Sequence, residues 1–129
     1  MDASHSKKIV FCGSDEIALP LLDFLSSFSG VSIVGIISQP DRRMGRGRKL
    51  QANKIKQWGI TREIEVKTPN KPDMEEIHWL KNTRVDLVLV MAYGHILNQK
   101  FLNAPSLGCY NLHASLLPSY RGASPIETS

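Results

Sequence analysis

An amide and an imidazole stand two positions apart at the end of an apolar stretch of this 129-residue chain. Residues 107–112 are predicted to form a strand, in which Asn111 is the last residue but one, and His113 follows the strand directly. Because successive side chains of a strand point to opposite faces, residues two positions apart point the same way. An amide N–H can donate to a developing oxyanion, and an imidazole can carry a proton. The pair therefore has the chemistry of a group-transfer site.

A histidine taken alone is more often structural than catalytic. Here the strand leads into Leu116-Leu117-Pro118, and proline fixes φ and removes a hydrogen-bond donor. Irregular backbone beside paired polar groups suits a ligand site better than a core. We therefore favour a functional interpretation of Asn111 and His113.

Residues 111–122 read Asn-Leu-His-Ala-Ser-Leu-Leu-Pro-Ser-Tyr-Arg-Gly. This segment resembles the signature of the 10-formyltetrahydrofolate-dependent formyltransferases, Asn-x-His-x-Ser-Leu-Leu-Pro-x-x-(Arg/Lys)-Gly. Residues 11–18, 39–49 and 92–97 are similar to the members of that family that act on initiator tRNA. The resemblance covers nearly all of the chain, and residues 39–49 are its most specific part.

The resemblance implies transfer of a formyl group from 10-formyltetrahydrofolate to the α-amine of initiator methionyl-tRNA, a step of translation initiation. It implies that Asn111 and His113 are catalytic, with the amide as oxyanion donor and the imidazole as proton carrier. It also implies that folate binds residues after two strands. These residues are Tyr93, Gly94, Ile96, Leu97, Ser115, Leu116, Leu117 and Pro118.

One element of the family's pattern is missing from the sequence. The family uses a third catalytic residue, an Asp a few tens of residues beyond the signature, and no Asp lies between His113 and Ser129. The family's remaining strands and its C-terminal tRNA-binding domain are missing too. We therefore expect residues 1–129 to be the N-terminal portion of the catalytic domain, truncated at its C-terminal side and nearly inactive alone. When full length, the enzyme is expected to be a monomer.

The net charge of +4 is concentrated in residues 41–49, the basic segment, and the rest of the chain sums to zero. Its cations are Arg42, Arg43, Arg46, Arg48 and Lys49. Such a cluster is either a mobile, solvated charge run or a patch that meets phosphodiesters, and Gly45 and Gly47 keep its backbone free. Physical chemistry alone predicts a polyanion as the partner, and the resemblance implies the acceptor arm of the initiator tRNA.

Bulk composition excludes several classes of protein. A hydrophobic fraction of 42% is ordinary for a globular domain, and no apolar run approaches the ~18 residues of a membrane span. A short N-terminal segment leads directly into a strand rather than a signal peptide, so a cytoplasmic location is expected.

Cys12 and Cys109 lie in apolar strand patterns, which favours buried thiols. The four histidines lack ligand spacing, so no metal is expected.

Strands that are apolar on both faces alternate with helices along the chain. Strands are predicted at residues 8–12, 31–37, 65–68, 85–91 and 107–112, and helices at residues 16–28, 51–58 and 73–82. The helices are expected to bury Ile17, Leu21, Leu22 and Leu25 in the first and Met74, Ile77 and Leu80 in the third. This pattern indicates an α/β fold with a doubly wound, mostly parallel sheet. In such sheets ligands bind at the carboxyl ends of the strands, where the motifs above converge.

The turn after the first strand argues against two related ligands. Gly13 lacks the Gly-x-Gly-x-x-Gly spacing of dinucleotide sites. Asp15 and Glu16 would satisfy a helix N-terminus themselves and repel a phosphate there. Neither NAD nor the phosphate-bearing amine of the family's purine-pathway relative is therefore expected.

Two other functions compete with the favoured one. A sugar-nucleotide formyltransferase would share Asn111 and His113, but the basic segment is excessive for a small diphosphate. A non-catalytic RNA-binding α/β module would use the basic segment and bind no folate.

Overall fold

The computed structural model describes residues 6–113 and 123–125. In these residues a six-stranded sheet has the order β5-β2-β1-β6-β7-β8, and all neighbours pair in parallel except β7 and β8. Its strands are β1 (Lys7–Cys12), β2 (Val31–Ile37), β5 (Glu65–Lys67), β6 (Leu87–Val90), β7 (Cys109–Leu112) and β8 (Ala123–Pro125). The prediction of a doubly wound, mostly parallel sheet is confirmed.

Four α-helices of the described residues cover the two faces of this sheet. They are α1 (Leu19–Ser27), α2 (Lys54–Thr61), α3 (Met74–Thr83) and α4 (Gln99–Leu102). A 3₁₀ turn, Glu16–Ala18, precedes α1. None of the helices in the described ranges has the length and apolar character that crossing a membrane requires.

The core lies in two layers because strand side chains alternate between the faces. Ile9 and Phe11 of β1 pack with α1 and α2, whereas Val10 and Cys12 pack with α3 and α4. Both faces of β1 are thus buried, as its uninterrupted apolar sequence predicts. The same alternation in β7 puts Tyr110 on the α1/α2 side and Cys109 on the other.

The basic segment forms a β-hairpin, which corrects the prediction that Gly45 and Gly47 keep its backbone free. Strands β3 (Arg42–Met44) and β4 (Lys49–Gln51) pair antiparallel. Gly45 and Gly47 have φ of 71° and 85°, so they supply the left-handed conformations that the turn requires. The glycines therefore shape a defined turn instead of keeping the backbone free.

Several predicted boundaries and burials also differ. The predicted helix at residues 16–28 is a 3₁₀ turn followed by α1, and Ile17 in that turn is 49% exposed because the tighter turn rotates it off the apolar stripe. Met74 is the first residue of α3 and is 45% exposed, although Ile77 and Leu80 are buried as predicted. The helix predicted at residues 51–58 begins later, at Lys54, because Asn53 caps it by accepting a hydrogen bond from Lys56 N.

Candidate functional site

The carboxyl ends of β2, β1, β6 and β7 lie at one edge of the sheet because these strands are parallel. The strand order changes direction between β1 and β6, so the crevice expected in a doubly wound fold lies beside Gly13 and Met91. A Cβ on Gly13 would lie 2.3 Å from the Met91 carbonyl oxygen, so only glycine permits this close approach. We call this edge the carboxyl rim.

Asn111 and His113 lie at the carboxyl rim, as predicted. Asn111 pairs in register with Val90 of β6, is half-buried, and follows Tyr110, whose side chain packs on the opposite face. His113 comes directly after β7 and is exposed. Asn111 is therefore held by the sheet, whereas the His113 side chain is open to solvent.

Residues 92–97, the 92–97 loop, follow β6 at the same edge. Ala92 and Gly94 have positive φ, 52° and 90°. Ile96 is 88% exposed, whereas Leu97 packs partly against the core. The loop thus offers one apolar side chain to a ligand and keeps the other in the fold.

Tyr93 behaves differently from the rest of the loop. Its ring is only 3% exposed and lies in the α3/α4 core layer, so a contact with a ligand would have to use its main chain. Burial, with smaller contributions from Cys12 and Glu76, raises the pKa of its hydroxyl well above the ordinary value. The phenol therefore stays protonated at neutral pH and carries no acid–base chemistry there.

The five cations of the basic segment are all exposed. In the described part of the chain none of them forms an ion pair with a carboxylate. Asp41, the one acid of the segment, instead pairs with Lys56 of α2 at 2.8 Å. The described carboxylates therefore leave the positive charge of the basic segment without a neutralising ion pair.

Sequence reasoning missed a set of hydrogen bonds that joins the strand ends. Ser38 is fully buried, and its hydroxyl donates to the Gly13 carbonyl at 2.7 Å. Gln39 N donates to Ser14 Oγ at 2.9 Å, and Asn53 Nδ2 donates to the Gln39 carbonyl at 3.3 Å. The sequence did carry a signal for these residues. Ser38 and Gln39 are polar and come directly after a buried strand, which is the pattern that singled out Asn111 and His113.

A cleft of about 500 Å³ opens between the turn after β1, the base of the basic segment and the start of α2. Asp15 and Glu16 line it, together with Arg42 and Lys54. Asp15 Oδ1 accepts a hydrogen bond from Ile17 N at 3.0 Å, so the carboxylate caps its own turn as predicted. The cleft combines anionic and cationic side chains beside the carboxyl rim.

The two thiols are buried and free, as predicted. Burial raises the pKa of Cys109 to about 12 and raises that of Cys12 as well, with a smaller contribution from Cys109. No group of three or more His, Cys, Asp or Glu within residues 6–113 and 123–125 could hold a metal ion. That no metal takes part in function stays a prediction. Ser115, Leu116, Leu117 and Pro118 lie outside the described residues.

Comparison with known proteins identifies relatives of the whole chain. Residues 7–129 match the family described as formyl transferase. Proteins named methionyl-tRNA formyltransferase are 47% identical over 122 residues in Clostridium tetani, 46% over 120 in Legionella pneumophila and 42% over 121 in Thermotoga maritima. These alignments cover 92–93% of the chain but only 38–39% of each relative. The chain thus spans less than half the length of these relatives.

Two solved structures share the fold. Phosphoribosylglycinamide formyltransferase from Bacillus halodurans aligns with a TM-score of 0.62 at 20% identity and covers 90% of this chain and 60% of its own. Glycinamide ribonucleotide transformylase 1 from Geobacillus kaustophilus gives 0.63 at 18% identity, covering 92% and 63%. At such identities the likeness concerns the arrangement of strands and helices alone.

Proposed function

Because this chain belongs to the formyl transferase family, we propose that it is the N-terminal part of an enzyme that transfers a formyl group from 10-formyltetrahydrofolate to the α-amine of initiator methionyl-tRNA. We propose further that the enzyme acts as a monomer in the cytoplasm. The relatives named methionyl-tRNA formyltransferase support the methionyl-tRNA substrate over a sugar nucleotide.

One geometric observation carries the proposal. Asn111 is in register with Val90, which immediately precedes the turn into the 92–97 loop. The proposed catalytic amide and the proposed folate-binding loop therefore occupy adjacent strand ends. A formyl carbon attached to a folate on that loop would lie within the region that Asn111 and His113 border.

In this reaction the enzyme has to orient the two substrates more than it has to activate the nucleophilic amine. A free α-amine has a pKa of about 7.7 to 8.0, so a useful fraction is neutral near pH 7. Its nitrogen attacks the formyl carbon, the bond from that carbon to N10 breaks, and a proton moves from the amine to N10. In the proposal, the Asn111 amide donates to the formyl oxygen as negative charge develops, and His113 carries the proton.

The cleft suits the end of an aminoacylated tRNA. Asp15 and Glu16 can attract an α-ammonium group, and Arg42 and Lys54 can attract phosphodiesters. The basic segment continues the positive surface away from the cleft. A small substrate would need far less cationic surface, which supports a macromolecular acceptor.

Titration of 5-formyltetrahydrofolate into the chain, followed by calorimetry, tests the folate site. Ile96→Ala should weaken binding about 3- to 10-fold because it removes apolar area that the ring would cover. Ile60→Ala is the matched control, since Ile60 is 56% exposed on α2, away from the carboxyl rim. Undetectable heat with the unaltered chain, or equal affinity in both variants, would count against the site and favour the RNA-binding module.

A further inference from the structure

Gln39 joins two strand ends that are far apart in sequence. Its side-chain Nε2 donates to the Tyr93 carbonyl at 2.7 Å, across 54 positions. Its Oε1 lies 3.2 Å from His95 Nε2. One amide thus contacts the 92–97 loop twice, at both sides of Gly94.

The hydrogen bond from Gln39 Nε2 to the Tyr93 carbonyl determines which partner donates in the contact between Gln39 and His95. Because Nε2 of Gln39 faces a carbonyl, Oε1 is the atom turned to His95, and an oxygen only accepts. His95 Nε2 must therefore carry a hydrogen. Both the neutral tautomer protonated at Nε2 and the charged imidazolium satisfy this requirement, so the contact does not depend on the charge of His95.

The other restraints on the 92–97 loop are side-chain packing: Tyr93 is buried in the core, Leu97 packs partly against it, and the Tyr93 and His95 rings lie edge to face with their centroids 5.0 Å apart. No hydrogen bond between two main-chain atoms of the described residues involves residues 92–97. Ala92 holds a left-handed conformation with φ of 52°, which is strained for a residue that carries a Cβ. A loop that is strained and lacks main-chain hydrogen bonds needs side-chain contacts to keep one conformation.

Gln39 is itself anchored well enough to supply those contacts. Its N–H donates to Ser14 Oγ, its carbonyl accepts from Asn53 Nδ2, and Pro40 restricts the backbone after it. A Cβ on Gly94 would lie 3.4 Å from Gln39 Nε2, so the loop packs directly against the amide.

We propose that Gln39 is a positioning residue that holds the 92–97 loop in the conformation that receives the folate. This inference rests on the proposed function for the identity of the ligand. It does not make Gln39 catalytic, because its amide is occupied by Tyr93 and His95.

NMR relaxation of the main-chain amides tests the positioning without any ligand. In Gln39→Ala, the order parameters of residues 93–97 should fall from about 0.85, the value of rigid main chain, to below about 0.6. The order parameters of α3 should be unchanged. Gln99→Ala is the matched control, because it removes the same amide from an exposed position next to the loop. Unchanged order parameters at residues 93–97 in Gln39→Ala would overturn the proposal.

A conservative variant separates positioning from simple packing. Gln39→Glu fills the same volume and can still accept from His95, but it cannot donate to the Tyr93 carbonyl. It should therefore resemble Gln39→Ala in the order parameters of residues 93–97. A loop as rigid in Gln39→Glu as in the unaltered chain would show that side-chain volume, not the hydrogen bond to Tyr93, holds the loop.

The His95 ring supplies a spectroscopic signature. Nitrogen NMR of the unaltered chain should show a hydrogen on Nε2 of His95, and in Gln39→Ala the population of the tautomer with its hydrogen on Nε2 should fall. An identical tautomer population in both proteins would contradict the contact.

Calorimetric titration of 5-formyltetrahydrofolate connects the positioning to function. Gln39→Ala should weaken binding about 5- to 10-fold, and Gln99→Ala should leave it unchanged. Equal affinity in Gln39→Ala and the unaltered chain would overturn the role in binding. If the unaltered chain binds no folate, the proposed function fails, while the relaxation experiment still decides whether Gln39 holds the loop.

Discussion

At the scale of single residues, the environment of each side chain divides the predicted site into two groups. His113 and Ile96 are exposed at the carboxyl rim, and Asn111 is half-buried there. The Tyr93 ring, in contrast, is in the core. A side chain that is buried in the same core cluster as Val10 and Phe101 stabilises the fold and cannot also cover a ligand. The exposed group is therefore where substitutions should change chemistry with the least effect on stability.

Replacement of Asn111 or His113 by alanine tests the proposed mechanism in a longer protein that contains the remaining catalytic domain. Each change should lower the single-turnover rate about 10²- to 10³-fold, since one oxyanion donor typically contributes about 2.7 to 4 kcal/mol. Asn82→Ala and His78→Ala, both exposed on α3, are matched controls. Turnover within threefold of normal in Asn111→Ala would refute its role.

The buried thiol of Cys109 predicts a dependence of stability on alkaline pH. Its pKa is about 12 in the fold against an ordinary value of 9.0, so the unfolded chain releases this proton first. The contribution is present below about pH 9 and is lost as pH rises towards 12. In urea unfolding between pH 8 and 10.5, the free energy of unfolding should therefore fall less steeply for Cys109→Ala. Parallel pH profiles for the two proteins would contradict this assignment.

At the scale of elements, the basic segment shows how a hairpin presents charge. Its two strands hold Arg42, Arg43 and Lys49 along a ribbon, with Arg46 in the turn. The Arg43 guanidinium donates to the Arg48 carbonyl at 3.0 Å and stiffens the ribbon. Lys56 neutralises Asp41 at its base. The fold thus pairs the one acid of the basic segment with Lys56 and leaves the cations of the segment exposed.

A cation of the basic segment that contacts a phosphate should contribute to the salt dependence of RNA binding. Arg46→Ala should reduce the slope of log K against log[salt] for a short RNA hairpin by about 0.7 to 1. Lys71→Ala, an exposed cation outside the segment, should not change the slope. Equal slopes in the two variants would show that residue 46 makes no phosphate contact.

At the scale of the whole molecule, the sheet gathers three segments of the proposed site at one edge. The 92–97 loop follows β6, Asn111 lies next to the last residue of β7, and the basic segment follows β2. Parallel pairing makes these ends neighbours although they are distant in sequence. The relative from Clostridium tetani is more than twice as long as the chain.

We predict that the 129-residue chain alone does not formylate methionyl-tRNA to a measurable extent. Its residues after His113 include no Asp that could serve as the family's third catalytic group. An assay of transfer from labelled 10-formyltetrahydrofolate, with a full-length relative as positive control, measures this directly. Formylation above the uncatalysed background would show that Asn111 and His113 suffice.

The sequence by itself determined the fold class, the buried thiols and the edge at which the motifs meet. Apolar runs mark buried strands, and the parallel arrangement follows from the helices between them. Because each motif comes directly after such a run, the convergence at the carboxyl rim follows from the one-dimensional pattern. The family signature added the proposed identities of the ligands.

Only the tertiary structure decided which side chains face inward and which distant residues meet. The burial of Tyr93 depends on the turn made by Ala92 and Gly94, and the exposure of Ile17 depends on a 3₁₀ turn. Gln39 follows β2 and Tyr93 follows β6, and in the sheet only β1 lies between these two strands. The turn after β6 then brings the Tyr93 carbonyl within hydrogen-bond distance of the Gln39 side chain. Strand order is a non-local property, so residue spacing along the chain carries no record of that contact.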